Sequence, residues 1–188
     1  MVVDNSNSTL GYTLLGLIGQ APLSGYDLRK LFSTTPLISY SDSPGAIYPA
    51  LRRLEARGFV RGHVEEASGR RQRRTYQVTP KGRSAFKRWQ TQPIRQPDVI
   101  RNLETLMMRF AFMDQFAGKA AALRFLKEFQ KELAAYLPTL RQYFKSNRKQ
   151  MPLSGRLALA SGIQGYETLL RWTRTSIATY ERAIGGKK

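Results

Sequence analysis

The stretch SPGAIYPALRRLEARGFVRGHVEEASGRRQRRTYQVTPKG, residues 43–82, decides the fold. It opens as a helix: Ser43, or Asp42 before it, suits a cap, and Pro44 takes the first helical position, where its missing N–H removes no bond. Ile47, Leu51 and Leu54 fall on one side at helical spacing, and Gly58 closes the helix. The opposite side carries Gly45, Pro49, Arg52 and Ala56, flanked by Tyr48 and Arg53. That face is small at its start and cationic at its end. Pro49 lies past the first turn, where proline costs roughly 3 kcal/mol, so the helix is expected to start late or bend there. FVRGHVEE and RRTYQV come next as two strands, with Val60 and Val64 on one side of the first and Tyr76 and Val78 on one side of the second. ASGR is the turn between them, and Arg70, Arg71, Arg73 and Arg74 crowd the tip and the returning strand, where charge also protects an exposed edge. TPKG then opens another helix, with Thr79 as cap and Pro80 first, that runs through Phe86 and Trp89 toward TQPIRQP.

Upstream, Thr9 caps a short helix with Leu10, Leu14, Leu17 and Ile18 on its apolar stripe and Gly19 at its end. SGYDLRKLF begins a second helix, in which Ser24 and Asp27 form a capping-box pattern and Leu28, Leu31 and Phe32 are buried. The order helix, helix, helix, hairpin, helix is that of a winged helix-turn-helix, whose second helix enters the major groove. Gly45, Pro49 and Ala56 then let a backbone approach the duplex, and Tyr48 with Arg52 or Arg53 reaches outward for bases or phosphates. The wing arginines would lie on phosphates or in the adjacent minor groove.

Beyond Pro97 the pattern is purely helical. One helix is expected over 98–112 and a longer one over 118–146, with Leu126, Phe129, Leu133, Leu137, Leu140 and Phe144 at spacings of 3 or 4 and a bend at Pro138. A third is expected over 152–183, striped by Leu153, Leu157, Ala160, Ile163, Leu170 and Ile177. Three helices leave part of these stripes open, and a second copy of the chain is the economical cover. Among the aromatic residues of this half, Tyr166 and Trp172 are candidates to line a site for a flat apolar effector.

The charge agrees with a polyanionic partner: 31 Lys and Arg stand against 13 Asp and Glu, a net +18. Residues 52–88 hold twelve basic and three acidic side chains, so the excess of the first half is packed into the expected recognition helix, the wing and the helix after them.

Cysteine is absent and His63 is the one histidine, which excludes thiolate chemistry, disulfides, Cys/His zinc sites and histidine-based triads. His63 reads as an exposed strand residue. Neither a Gly-rich phosphate loop nor a GxSxG elbow occurs, so no enzyme activity, cofactor or metal is expected. No apolar run approaches the roughly 20 residues of a membrane span, and MVVDNSNS lacks the regions of a signal peptide. A cytoplasmic protein with a disordered start over 1–8 is expected. The rival class is a basic peripheral membrane or adaptor protein acting through its amphipathic helices and clusters such as RQYFKSNRK, 141–149.

GYTLLGLIGQAPLSGYDLRKLF, then SPGAIYPALRRLEARGFV, then RRTYQVTPKG resemble the PadR family of transcriptional regulators, which shows LSGYDL, GxIYPxLxxLExxGxV and YxxTxxG elements in this order. The resemblance covers about residues 9–90, and GIQGYETLLRW looks like part of the family's helical dimerisation domain. It implies a homodimeric DNA-binding regulator, usually a repressor released by a small molecule, often a phenolic or other aromatic compound; one recognition helix from each protomer then makes the expected operator in double-stranded DNA an inverted repeat. It implies further that Tyr26, Ser43 and Tyr48 contact DNA and that residues 70–74 form the wing. Relatives often carry tryptophan in the segment before Ser43, which here reads LISYS. The expected fold is thus mainly α with a small β-wing: a winged helix-turn-helix DNA-binding domain over 9–92 and a helical dimerisation and effector domain over 98–184.

Overall fold

The computed structural model describes residues 9–35, 44–65 and 73–186, and the chain divides into two compact units, Met1–Gln90 and Thr91–Lys188. The expected cap at Asp42 or Ser43, the LISYS segment, the ASGR turn and Arg70 and Arg71 lie outside the described residues.

The first unit begins with α1, Thr9–Gln20, which buries Leu14, Leu15, Leu17 and Ile18. A two-residue strand, β1, Leu23–Ser24, leads into α2, Gly25–Thr34. Ser24 and Asp27 form the expected capping box: the Asp27 amide donates to Ser24 Oγ at 3.2 Å, and the Ser24 amide donates to Asp27 Oδ2 at 2.9 Å. α3 spans Pro44–Ala56 with Ile47, Leu51 and Leu54 buried, and Gly58 leaves it at φ 69, the left-handed conformation that glycine adopts without steric cost.

The late start expected from Pro49 does not occur, because α3 begins at Pro44 and passes through Pro49. The bond Pro49 cannot donate would go to the carbonyl of Gly45 four residues back, and Gly45 is exposed, so water can take that place.

The wing consists of β2, Val60–Glu65, and β3, Arg73–Val78, paired antiparallel from Val60 opposite Val78 to Glu65 opposite Arg73. β1 pairs with the other edge of β3, Leu23 opposite Tyr76 and Ser24 opposite Thr75, giving the order β1-β3-β2. β3 is therefore the central strand. Val60 is buried, but Val64, expected on the same side, is 55% exposed. Four residues carry a strand roughly 13 Å, enough for the hairpin to outrun the core that covers its base.

α4, Pro80–Gln90, closes the unit. The Thr79 hydroxyl donates to the carbonyl of Gly58 at 2.7 Å and accepts from the amide of Gly82 at 3.0 Å, tying the start of α4 to the end of α3. Tyr12 stacks on Trp89 with centroids 4.3 Å apart.

The second unit holds α5, Gln96–Arg101, α6, Leu103–Ala111, α7, Met113–Phe116, α8, Lys119–Asn147, and α9, Leu153–Gly185. The single helix expected over 98–112 is divided at Asn102, whose backbone leaves the helical region at φ −127, ψ 29. Its amide still donates to the carbonyl of Asp98, and its carbonyl accepts from the amide of Leu106, so one residue both ends α5 and begins α6. α8 continues through Pro138. Val99, Leu106, Met113, Phe125, Phe129 and Leu133 form the core, with Trp172 and Tyr180 of α9 packed against it. The Arg109 guanidinium is buried over the ring of Phe125 and donates to the carbonyl of Gln92; burial lowers its pKa to about 10 despite the nearby carboxylates of Asp98 and Glu128. On α9 the expected stripe is only partly covered: Ile163 is buried, whereas Leu153 and Leu157 are each 62% exposed. Among the described residues, no helix is long and apolar enough to cross a membrane.

Candidate nucleic-acid interface

α3 turns its apolar side chains inward and leaves Gly45, Tyr48, Arg52, Arg53 and Ala56 exposed, with Pro49 half-buried. The outer face deduced from helical spacing is therefore the face the structure leaves open. Tyr48 is 43% exposed and its ring lies across the backbone of Gly25 at the start of α2, so close that a Cβ on Gly25 would stand 2.5 Å from Tyr48 Cε1. Glycine at position 25 gives this ring its seat. Tyr26, one residue on, is 66% exposed, and with Arg29, Lys30 and Ser33 it lines a shallow cavity of about 190 Å³ on α2.

The described wing arginines are exposed but engaged. Arg73 Nη2 stands 2.5 Å from Asp27 Oδ2, and Arg74 Nη2 donates to Glu55 Oε1 at 2.7 Å and Oε2 at 2.9 Å. Glu55 also accepts from the amide of Gly62 on β2 at 3.0 Å, and a Cβ on Gly62 would enter the space the Arg74 guanidinium fills. Burial pushes the Asp27 carboxyl up, but the hydroxyl and amide of Ser24 together with Arg73 outweigh it and hold the group below its ordinary 3.8. The hydrogen bond to Glu55 raises Arg74 further above its ordinary value. Spacing within one element cannot disclose these two pairs, since 46 residues separate Asp27 from Arg73 and 19 separate Glu55 from Arg74. Asp27 was legible as a capping residue, and its second bond was not. His63 is exposed on β2, opposite Thr75.

The effector candidates lie on α9, half-buried. The Tyr166 hydroxyl donates to the carbonyl of Val99 at 3.4 Å, and its ring meets Tyr136 edge-on at 5.2 Å. Trp172 meets Phe110 edge-on at 5.5 Å. Neither lines the cavity of about 370 Å³ between α8 and α9, which is formed by Leu137, Arg141, Glu167, Leu170, Arg171 and Arg174. Among the described residues no group of three His, Cys, Asp or Glu could hold a metal ion.

Residues 14–88 match the sequence model of the transcriptional regulator PadR-like family. The chain is 23% identical over 182 residues to the negative transcriptional regulator PadR of Bacillus subtilis, across 92% of this chain and 98% of that protein. A transcriptional regulator of Mycobacterium tuberculosis is 48% identical over 47 residues, 25% of this chain and 43% of that one. The crystal structure of Bacillus subtilis PadR in complex with operator DNA aligns at 20% identity with a TM-score of 0.45, across 92% of this chain and 99% of that chain. Residues 14–88 therefore carry a domain like that of the transcriptional regulator PadR-like family, and the likeness to a PadR regulator extends along most of the chain.

Proposed function

We propose that the chain is a cytoplasmic, homodimeric repressor that binds an inverted-repeat operator in double-stranded DNA and is released by a small aromatic or other apolar effector. In this reading residues 9–92 are the DNA-binding domain and 98–184 the dimerisation and effector domain. The observation that carries it is the open face of α2 and α3, where Tyr26, Gly45, Tyr48, Arg52 and Arg53 are exposed beside Pro49. Gly45 and Pro49 allow the helix backbone close to the groove, Tyr48 and Arg52 or Arg53 reach base edges, and Tyr26 meets the sugar-phosphate backbone. Ser43, Arg70 and Arg71 complete the contact set. Arg73 and Arg74 enter through the carboxylates they hold.

The exposed apolar side chains of Tyr143, Leu153 and Leu157 support a dimer, because burying them against a second copy removes apolar surface from water. Repression is supported by the relative named as a negative regulator. The aromatic side chains around Tyr166 and Trp172 suit a flat effector.

The test is footprinting of the purified protein on the DNA upstream of its own gene and its neighbours, with affinity followed across salt. Protection of an inverted repeat with half-sites about one helical turn, or a multiple, apart is expected. Affinity should fall with a log–log slope of about −0.9 per neutralised phosphate. No protected repeat together with a flat salt response refutes the reading.

A further inference from the structure

Among the described residues, the four helices of the first unit carry two carboxylates, Asp27 on α2 and Glu55 on α3, and each is paired with an arginine of β3. Each carboxylate also has a cation of its own helix close by. Lys30 stands three residues after Asp27 and Arg52 three residues before Glu55, the spacing at which helical side chains become neighbours and ion-pair. Yet among the described residues neither Lys30 nor Arg52 has an ion-pair partner, because the wing occupies both acids. Arg74 grips both oxygens of Glu55 while Glu55 holds the Gly62 amide, so the contact joins α3 to both strands of the hairpin. Arg73 reaches the oxygen of Asp27 that also accepts from Ser24, which fixes β3 to the cap of α2.

We infer that Arg73 and Arg74 are positioning residues rather than phosphate contacts: they act as internal counter-ions to Asp27 and Glu55, set the wing against both helices of the motif, and leave Lys30 and Arg52 free for DNA. Loss of either arginine would expose a carboxylate at the interface, where it repels phosphate and recruits the neighbouring helix cation. The inference rests on the DNA-contact face proposed above.

The experiment is a rescue series on the full chain, reading operator affinity, its salt slope and the unfolding midpoint. R74A is expected to weaken operator binding about tenfold, the order of effect that coupled neighbours show. E55Q/R74Q should recover most of that loss with a wild-type salt slope, since the side-chain amide oxygen introduced at position 55 still accepts from Gly62 and no charge remains to be masked. D27N/R73Q should likewise recover the loss caused by R73A. If the double variants bind as poorly as the single ones, and their slopes fall by about 0.9 as for one lost phosphate contact, the inference is overturned. Should a double variant fail to fold, the charge-swapped E55R/R74E takes its place: rescue upholds the pairing and no rescue refutes it. R52A/R53A is the parallel control. If it leaves affinity and slope unchanged, the contact face itself is wrong; if it lowers both while the rescues fail, only the positioning role is wrong.

Discussion

Replacing Gly82 by alanine should unfold the first unit well before the second. Gly82 lies in the first turn of α4, and a Cβ there would overlap the carbonyl oxygen of Phe59. That oxygen already accepts from the amide of Thr79 at 3.0 Å and from its hydroxyl at 3.2 Å, so it is held in place and cannot yield alone. Relief requires α4 to move off the end of α3, which costs about 1–3 kcal/mol of overpacking and about 1 kcal/mol for each hydrogen bond weakened. Against this stands a gain of about 1 kcal/mol, because alanine is the better helix former. The net destabilisation is about 2–4 kcal/mol, and for a unit of this size each kcal/mol moves the midpoint by roughly 4–8 °C, so a fall of roughly 8–32 °C is expected. The assay is thermal unfolding read by fluorescence in a W172F background, which leaves Trp89 of the first unit as the reporter. A midpoint equal to the parent's, or raised by the helix-propensity gain, refutes the reasoning.

Substituting Asp27 by asparagine removes the charge that Arg73 and the Ser24 amide favour, and should cost about 1–2 kcal/mol at neutral pH. Because the folded pKa is depressed below 3.8, that contribution is full above roughly pH 4 and lost as pH falls through the lowered value, so urea midpoints of D27N and the parent should converge in acid. For Tyr180, burial and a hydrogen bond to Asp114 at 2.9 Å push the hydroxyl up to about 12 from 10.0. The unfolded phenol ionises first, so stability held below pH 10 should decline toward pH 12, and less steeply in Y180F; identical alkaline profiles would remove the effect. If the proposed dimer closes over the exposed Leu153 and Leu157, L153E/L157E should shift sedimentation from dimer to monomer and remove the concentration-dependent part of the melting temperature that association supplies. Retention of the dimer would place its interface elsewhere.

The helices of the first unit are legible because their signals are local. A capping box at Ser24 and Asp27, a proline at position 44, a glycine at position 58 and a threonine cap before Pro80 each act within one turn of chain, and the structure bears them out. Departures arise where a distant partner or solvent intervenes. Leu23–Ser24 is too short to read as a strand and exists because β3 lends it partners from about 50 residues away. Pro49 looks costly by helix rules, but its unmet acceptor belongs to an exposed residue and can be hydrated. In the second unit, apolar spacing runs on from Val99 through Phe110, while one asparagine ends one helix and starts another.

The open face of α3 is set by periodicity alone. If Ile47, Leu51 and Leu54 are buried, geometry leaves Gly45, Tyr48, Arg52 and Arg53 outside, whatever else the chain does. The roles of the charges on that face could not be read the same way. Residues 52–88 announce a basic segment, yet a count of arginines does not say which are engaged inside the protein. That depends on bringing Asp27 and Glu55 within hydrogen-bond reach of β3, a distance set by how the hairpin folds back on α2 and α3. Coulomb attraction and hydrogen bonding act over a few ångströms in space and are indifferent to separation along the chain, so the pairing of Arg73 and Arg74 with Asp27 and Glu55 is a property of the folded molecule.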